Sequence, residues 1–158
     1  MNNGLDGDGP FSPERSGGVP IGDLIQGCFT GEYTFPDMKK LVKGHGGMVA
    51  YLGTHDMREV EKRIDDGDQN AKLVFEAMAY QIAKEIGAMS TVIEGKVDAI
   101  VLTGGMAFSD KLVELIKARV EFIAPLYIFP GEQEMKALAL GAHRVINGEE
   151  KAKVYHFE

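Results

Sequence analysis

Apolar and polar positions follow a helical period over much of the chain. The longest such stretch, QNAKLVFEAMAYQIAKEIGAMSTVIEG, carries apolar residues every three or four positions. It predicts a long helix that is buried on more than one side and ends at Gly95, with Asp68 as its N-cap. Shorter helices are predicted over 21–28, from Pro36 to about Val42, and in HDMREVEKRI, SDKLVELIKARVEFI and GEQEMKALALGAHRVINGEE.

Capping residues mark several of these helix boundaries. Thr54 is the predicted N-cap of the HDMREVEKRI helix, with Asp56 in its first turn. Asp65–Gly67 end that helix, and Ser109 is the predicted N-cap of SDKLVELIKARVEFI. Glycines in GHGG at 44–47 stop the helix before them.

Short apolar runs between glycines predict buried strands. These runs are MVAYLG, VDAIVLTGG and APLYIFPG. The second and third, at about 97–102 and 125–129, are separated by a helix, an order typical of α/β folds with parallel strands. No internal repeat is present.

Residues at both ends of the chain have loop character. The stretch 1–20 is rich in Gly, Asp, Pro and Ser, which favour turns and ordered loops. Residues 151–158 form a polar tail that we expect to be loosely held. The predicted organisation is therefore a loop over 1–20, one domain over 21–150 and a tail over 151–158.

Composition excludes several classes of protein. The chain has 158 residues, enough for one core, and 44% of them are hydrophobic, which argues against disorder. Its net charge of −7 and the lack of a basic run argue against nucleic-acid binding. The single cysteine, Cys28, has no internal partner. Without an apolar run near ~18 residues or a signal peptide, we expect no membrane association and a cytoplasmic location.

Common ligand motifs are absent from the sequence. There is no GxxxxGK[ST] and no GxGxxG after a strand. Asp66, Asp68 and Asn70 resemble the start of a calcium loop, but Ala71 and Ala77 occupy the positions that require Gly and Glu. None of the four histidines has metal-ligand spacing to Cys28 or another histidine.

Four local features fit either a functional site or an ordinary structural role. In VDAIVLTGGMAFSDKL a strand delivers two glycines at its carboxyl end, which suits either a ligand or a tight turn. Asp56 and Arg58 suit a site or a solvated first turn. Arg15 suits a phosphoryl group or an exposed surface. Acidic residues at 132 and 134 are also ordinary partners of a helix dipole.

The order of these features resembles the butyrate kinases of the acetate kinase family, within the actin-like sugar-kinase superfamily. The matching segments are the DGDGPFSPERSG loop, GGMVAYLGTHDMREVE, GKVDAIVLTGG and PGEQEMKALALGAHRV, and they span nearly the whole chain. The resemblance implies an α/β fold: an incomplete ribonuclease H-like (actin-like ATPase) second domain, mainly helices on a small, partly parallel sheet. It also implies ATP-dependent phosphorylation of butanoate to butanoyl phosphate, with Mg²⁺.

The resemblance also assigns roles to individual residues. Arg15 matches the arginine that contacts the transferring phosphoryl group, and Glu134 matches a glutamate associated with magnesium. The residues that match the adenosine-binding motifs are Asp56, Met57, Arg58, Thr103, Gly104, Gly105, Met106, Ala107 and Ser109. Met57 and Phe108 depart from the family's usual residues.

The resemblance further implies that this chain is the C-terminal part of a longer enzyme. The first domain, the phosphate loops and the antiparallel strands of the second domain have no counterpart here. One face and one edge of the sheet would then lack partners, which predicts poor stability or homo-oligomerisation. A stable monomer in sedimentation would contradict this.

Two other functions stay open from the sequence. One is a non-catalytic remnant or oligomerisation module that binds adenine nucleotide weakly. The other is a kinase for a different short-chain carboxylate. Butanoyl phosphate formation by this chain alone would contradict the remnant interpretation.

Overall fold

A computed structural model of the chain describes residues 7–154. The start of the predicted loop, 1–6, and the end of the predicted tail, 155–158, lie outside the described residues. The helices are α1 (Ile21–Phe29), α2 (Phe35–Val42), α3 (Gly47–Leu52), α4 (Met57–Asp65), α5 (Gln69–Val92), α6 (Asp110–Val120) and α7 (Glu134–Ile146). The strands are β1 (Ile100–Gly104) and β2 (Leu126–Pro130), and a short 3₁₀ helix, Gly105–Phe108, follows β1.

The two predicted parallel strands are confirmed. β1 and β2 form a parallel two-stranded sheet in which Ile100 pairs with Leu126 and Gly104 with Pro130. α6 connects them, as the strand–helix–strand pattern predicts. The expectation that β2 is buried is wrong for this chain, because Tyr127 and Phe129 are 53% and 61% exposed.

The segment MVAYLG is a helix, α3, and not the predicted strand. A strand needs a neighbour to satisfy its backbone groups, whereas a helix pairs most of its own. The first amides of this segment also have partners, since the N–H groups of Met48 and Val49 donate to the carbonyl oxygens of Ser12 and Pro13 at 3.1 Å each. A helix start packed on the loop therefore replaces strand pairing.

The predicted caps are confirmed for two helices and corrected for one. Asp68 accepts from the N–H of Ala71 at the start of α5, and Ser109 accepts from Leu112 at the start of α6. The N-cap of α4 is Asp56 and not Thr54, since Asp56 accepts from the N–H of Arg58. The helical part of α5 ends at Val92, three residues before the predicted end.

The core lies where α5 packs against α4 and α6. Its fully buried side chains are Phe75, Met48, Met78, Leu112, Val60 and Val120. Other apolar surfaces stay open: within residues 7–154, neither α1 nor α7 carries a buried residue, and Phe29 and Ile146 are at least 80% exposed. These surfaces agree with an unpartnered sheet, while oligomerisation stays a prediction. No helix of this part of the chain combines the length and apolarity needed to cross a bilayer.

Candidate active site

The loop that carries Arg15 is folded against the helical core. Phe11 is buried, its N–H donates to Oε1 of Gln81 on α5, and its ring meets Tyr51 edge-on with 6.1 Å between centroids. The N–H of Gly18 donates to the carbonyl of Gly9 at 2.8 Å and closes the loop. The loop is thus an ordered part of the domain, as Gly- and Pro-rich functional loops often are.

Glycines of the GHGG segment contact the middle of this loop. The N–H of Gly44 donates to the carbonyl of Glu14 at 2.8 Å. Gly46 and Gly47 are buried, and a Cβ on Gly47 would overlap the carbonyl oxygen of Ser12. Because Gly47 also has φ +58°, only glycine fits there without strain. The sequence pattern predicts a helix stop at this segment and does not indicate its contacts with the loop.

Arg15 lines a largely apolar cavity of about 460 Å³ beside β1. Its side chain is half-buried, and among residues 7–154 its guanidinium has no hydrogen-bond or ion-pair partner. Thr103, Met106 and Ala107 line the same cavity. An unpaired guanidinium at the rim of a cavity is available to an anionic ligand such as a phosphoryl group.

The carboxyl end of β1 turns sharply at Gly104. This residue has φ +87° and ψ −179°, a conformation essentially restricted to glycine. Gly104 exchanges two backbone hydrogen bonds with Gly131 at the end of β2, at 3.3 and 3.0 Å. The turn leads directly into the 3₁₀ helix, in which Gly105 and Phe108 are exposed while Ala107 is buried, as is Ser109 after it.

A cleft of about 550 Å³ lies between this 3₁₀ helix and the start of α4. The predicted residues that line it are Asp56, Met57, Arg58, Gly105, Met106 and Ser109, together with His55, Glu61 and Phe108. The two segments that the resemblance predicts to bind adenosine are far apart in sequence, and the fold brings both to one cleft.

Asp56 and Arg58 form a bidentate ion pair on one wall of the cleft. Nε of Arg58 lies 2.9 Å from Oδ1 of Asp56, and Nη2 lies 2.6 Å from Oδ2. The hydrogen bonds from Arg58 lower the pKa of Asp56 from 3.8 to about 2, and the same pair raises the pKa of Arg58. Asp56 is therefore ionised at neutral pH and remains a hydrogen-bond acceptor.

Met106 lines both the cleft and the cavity, so the two spaces adjoin. Two predicted site residues lie outside both linings. Gly104 is one of them, and its turn conformation shapes the wall without facing either space. Glu134, the predicted magnesium ligand, is exposed at the first residue of α7 and lines neither.

The described residues supply no metal site on their own. No group of three or more His, Cys, Asp or Glu side chains within residues 7–154 is arranged to hold a metal ion. Glu134 is therefore not part of such a group among these residues. Its magnesium role stays a prediction from the resemblance.

Four residues near the site were not selected from the sequence. Glu61 and Phe108 line the cleft, and Nδ1 of His55 lies 3.7 Å from Oε1 of Glu14, which links the Arg15 loop to the start of α4. His55 and Glu14 each adjoin a predicted residue, and Glu61 follows Met57 by four positions on one helix. Proximity along the chain could have indicated these three. Phe108 lies inside the segment 103–109 that matches an adenosine-binding motif, where it departs from the family's usual residue.

Comparisons with known proteins identify the family and the fold of this chain. The sequence model of the acetokinase family matches residues 13–156. The fold is similar to acetate kinase from Porphyromonas gingivalis, with TM-score 0.75, 21% identity and coverage of 86% of this chain and 41% of that one. A propionate kinase from Francisella tularensis has TM-score 0.71 and 20% identity, with coverage of 81% of this chain and 39% of that one. Acetate kinase from Entamoeba histolytica has TM-score 0.71 and 18% identity, with coverage of 87% of this chain and 43% of that one.

This chain thus spans about two fifths of the length of these solved structures. The structural likeness confirms the predicted acetate kinase-like, actin-like ATPase fold, here helix-rich with a small parallel sheet. The family model covers the chain except for its first 12 and last 2 residues. The chain belongs to the acetokinase family.

Proposed function

We propose that this chain is the adenosine-binding half of a butyrate kinase, which phosphorylates butanoate with ATP to give butanoyl phosphate. The observation that carries the proposal is the shared cleft of the Asp56–Arg58 and Gly105–Ser109 segments, beside the cavity that Arg15 lines. In this assignment the chain is the C-terminal part of the enzyme. The family membership supports a carboxylate kinase, and butanoate is the specific substrate that we propose.

The charges divide the site into two parts. The cleft contains Glu61, whose carboxylate has no partner among the described residues, and an Asp56–Arg58 pair whose charges offset each other. Such a wall suits neutral hydrogen-bond donors, such as ribose hydroxyls or an amino group, and repels phosphates. Arg15 supplies the unpaired positive charge in the adjoining cavity. We therefore place the nucleoside in the cleft and the phosphates on the Arg15 side of Met106.

The chemistry needs charge neutralisation more than covalent help from the protein. A carboxylate oxygen of butanoate attacks the γ-phosphorus, and the bond to the β–γ bridging oxygen breaks as ADP leaves with the electron pair. Negative charge spreads over the equatorial oxygens of the transferring group. The planar guanidinium of Arg15 offsets that charge. Mg²⁺ would neutralise the nucleotide phosphates when bound, and the described residues alone do not hold it.

Exposed apolar surface supports dependence on further polypeptide. Four consecutive residues of β1, from Ile100 to Thr103, line the Arg15 cavity, so one edge of the strand opens into it. A two-stranded sheet with a free edge is marginal by itself. The same surface is what favours the alternative function, a non-catalytic module that only associates with itself. Phosphotransfer by a completed kinase separates the two.

Nucleotide affinity tests the cleft assignment. We expect ATP to bind the 158-residue chain and expect Asp56→Asn to weaken binding about tenfold, because a charged acceptor contributes ~1.5–3 kcal/mol. Asparagine preserves the N-cap of α4. Gly105→Val should weaken binding at least as much, since a Cβ there meets no atom within 4 Å and would extend into the cleft. Isothermal titration calorimetry measures both.

Matched controls exist for each substitution. Asp66→Asn changes an exposed aspartate outside the cleft, and Gly22→Val adds the same side chain where a Cβ also meets nothing within 4 Å. Both controls should bind ATP like the unaltered chain. Unchanged affinity in Asp56→Asn and Gly105→Val would contradict the assignment of the cleft.

A further inference from the structure

Phe108 is an aromatic side chain in the proposed nucleoside cleft to which neither the sequence nor the family assigns a role. It is the last residue of the 3₁₀ helix, it lines the cleft and it is 70% exposed. An exposed aromatic residue alone is unremarkable in a soluble protein. This one lies in the same cleft as the Asp56–Arg58 pair and Glu61.

The ring packs against Gly131, the residue that follows β2. A Cβ added to Gly131 would lie 3.3 Å from Cζ and 3.4 Å from Cε2 of Phe108, so the ring rests on the bare backbone there. Gly131 is fixed in turn by its two hydrogen bonds to Gly104. The glycine turn that ends β1 and the residue that follows β2 therefore set the position of the ring together.

We propose that Phe108 is the base-stacking residue of the nucleotide site and that Gly131 is its positioning residue. This inference rests on the proposed function, because it assumes that the cleft holds the nucleoside. A ring face offers a purine stacking contact, while Glu61 and Asp56 provide acceptors for amino or hydroxyl groups. Stacking is tolerant of base identity, so Phe108 contributes affinity for purine nucleotides in general rather than discrimination of adenine from guanine.

The test compares nucleotides with and without a base. Phe108→Leu keeps an apolar side chain and removes the ring, and Phe108→Tyr keeps the ring. By calorimetry with the 158-residue chain, we expect Phe108→Leu to raise the Kd for ATP and for AMP by a similar factor, about 5- to 150-fold. Phe108→Tyr should stay within about twofold, and any affinity for tripolyphosphate should be unchanged, because that probe has no base.

Two further variants test whether the effect depends on the position of the Phe108 ring in the cleft or on a general loss of folding. Phe122→Leu makes the same change at an aromatic residue that is 83% exposed and lines neither space, and it should leave affinity unchanged. Gly131→Ala should displace the ring. It should therefore lower the affinity for ATP and AMP, as Phe108→Leu does, and leave the affinity for tripolyphosphate unchanged. Circular dichroism verifies that each variant keeps its helices.

The outcomes distinguish failure of the stacking role from failure of the proposed function on which it rests. If the unaltered chain binds ATP and Phe108→Leu binds it equally well, the stacking role is wrong while the nucleotide site stands. If Phe108→Leu also weakens tripolyphosphate, its effect is not through a base, and the inference is equally wrong. If the unaltered chain binds neither ATP nor AMP, the proposed function fails and this inference fails with it.

Discussion

Replacement of Arg15 by alanine is expected to reduce phosphoryl transfer about 10³-fold in a fusion of the N-terminal part of a butyrate kinase to this chain. The guanidinium is half-buried, and within residues 7–154 it is not engaged by any acceptor, so it is free to bind the transferring group. If it contacts that group mainly in the transition state, kcat falls while KM for ATP changes little. The assay is butanoyl phosphate formation by a fusion that places those residues ahead of this chain.

Two variants make that result specific. Arg15→Lys keeps the charge but loses the planar fork, so we expect activity between those of the alanine variant and the unaltered fusion. Arg119→Ala removes an exposed arginine whose Nη1 donates only to the carbonyl of Leu115 on the same helix, and it should leave kcat unchanged. An Arg15→Ala fusion that retains kcat within threefold would remove Arg15 from the reaction.

Gly47→Ala is expected to lower the free energy of unfolding by about 2–5 kcal/mol. A left-handed conformation costs an L-residue ~1–2 kcal/mol. In addition, the new Cβ would overlap the carbonyl oxygen of Ser12 and push the loop from α3, which breaks the hydrogen bonds from Met48 and Val49 at ~0.5–1.5 kcal/mol each. Urea denaturation followed by circular dichroism measures the change.

Gly87→Ala provides the matched control in the same fold. Gly87 lies inside α5, a Cβ there meets nothing within 4 Å, and its φ is not positive. Alanine in a helix interior is favoured over glycine, so this variant should be more stable by ~0.5–1 kcal/mol. Equal effects of the two substitutions would mean that Gly47 does not hold the loop to α3.

Sequence patterns predicted much of the fold where helix periodicity, capping and strand formation depend on residues that are close in sequence. The period of α5, the caps Asp68 and Ser109 and the two strands all depend on neighbouring residues, and each is confirmed. The misplaced N-cap of α4 is a local error, whereas the wrong prediction of a strand over MVAYLG depends on distant partners. The helix α3 is stabilised by carbonyls of Ser12 and Pro13, which lie 36 residues earlier in both contacts, and this pairing has no signature within MVAYLG.

The residues of the candidate site also include some that motifs indicate and others that depend on contacts between distant parts of the chain. Motif resemblance selected both walls of the cleft, and the fold brings Asp56 and Gly105 together there. It did not select Glu61 or Phe108, because their role depends on which side chains face across the cleft. It also selected Gly104 and Glu134, although neither lines the cleft or the cavity.

The most direct test measures butanoyl phosphate formation by three samples: this chain alone, the N-terminal part of a butyrate kinase alone, and the fusion of the two. We predict product only from the fusion, with loss of that product on Arg15→Ala. Product from this chain alone would contradict its role as half of an enzyme. A folded fusion that binds ATP and forms no butanoyl phosphate would contradict the proposed reaction.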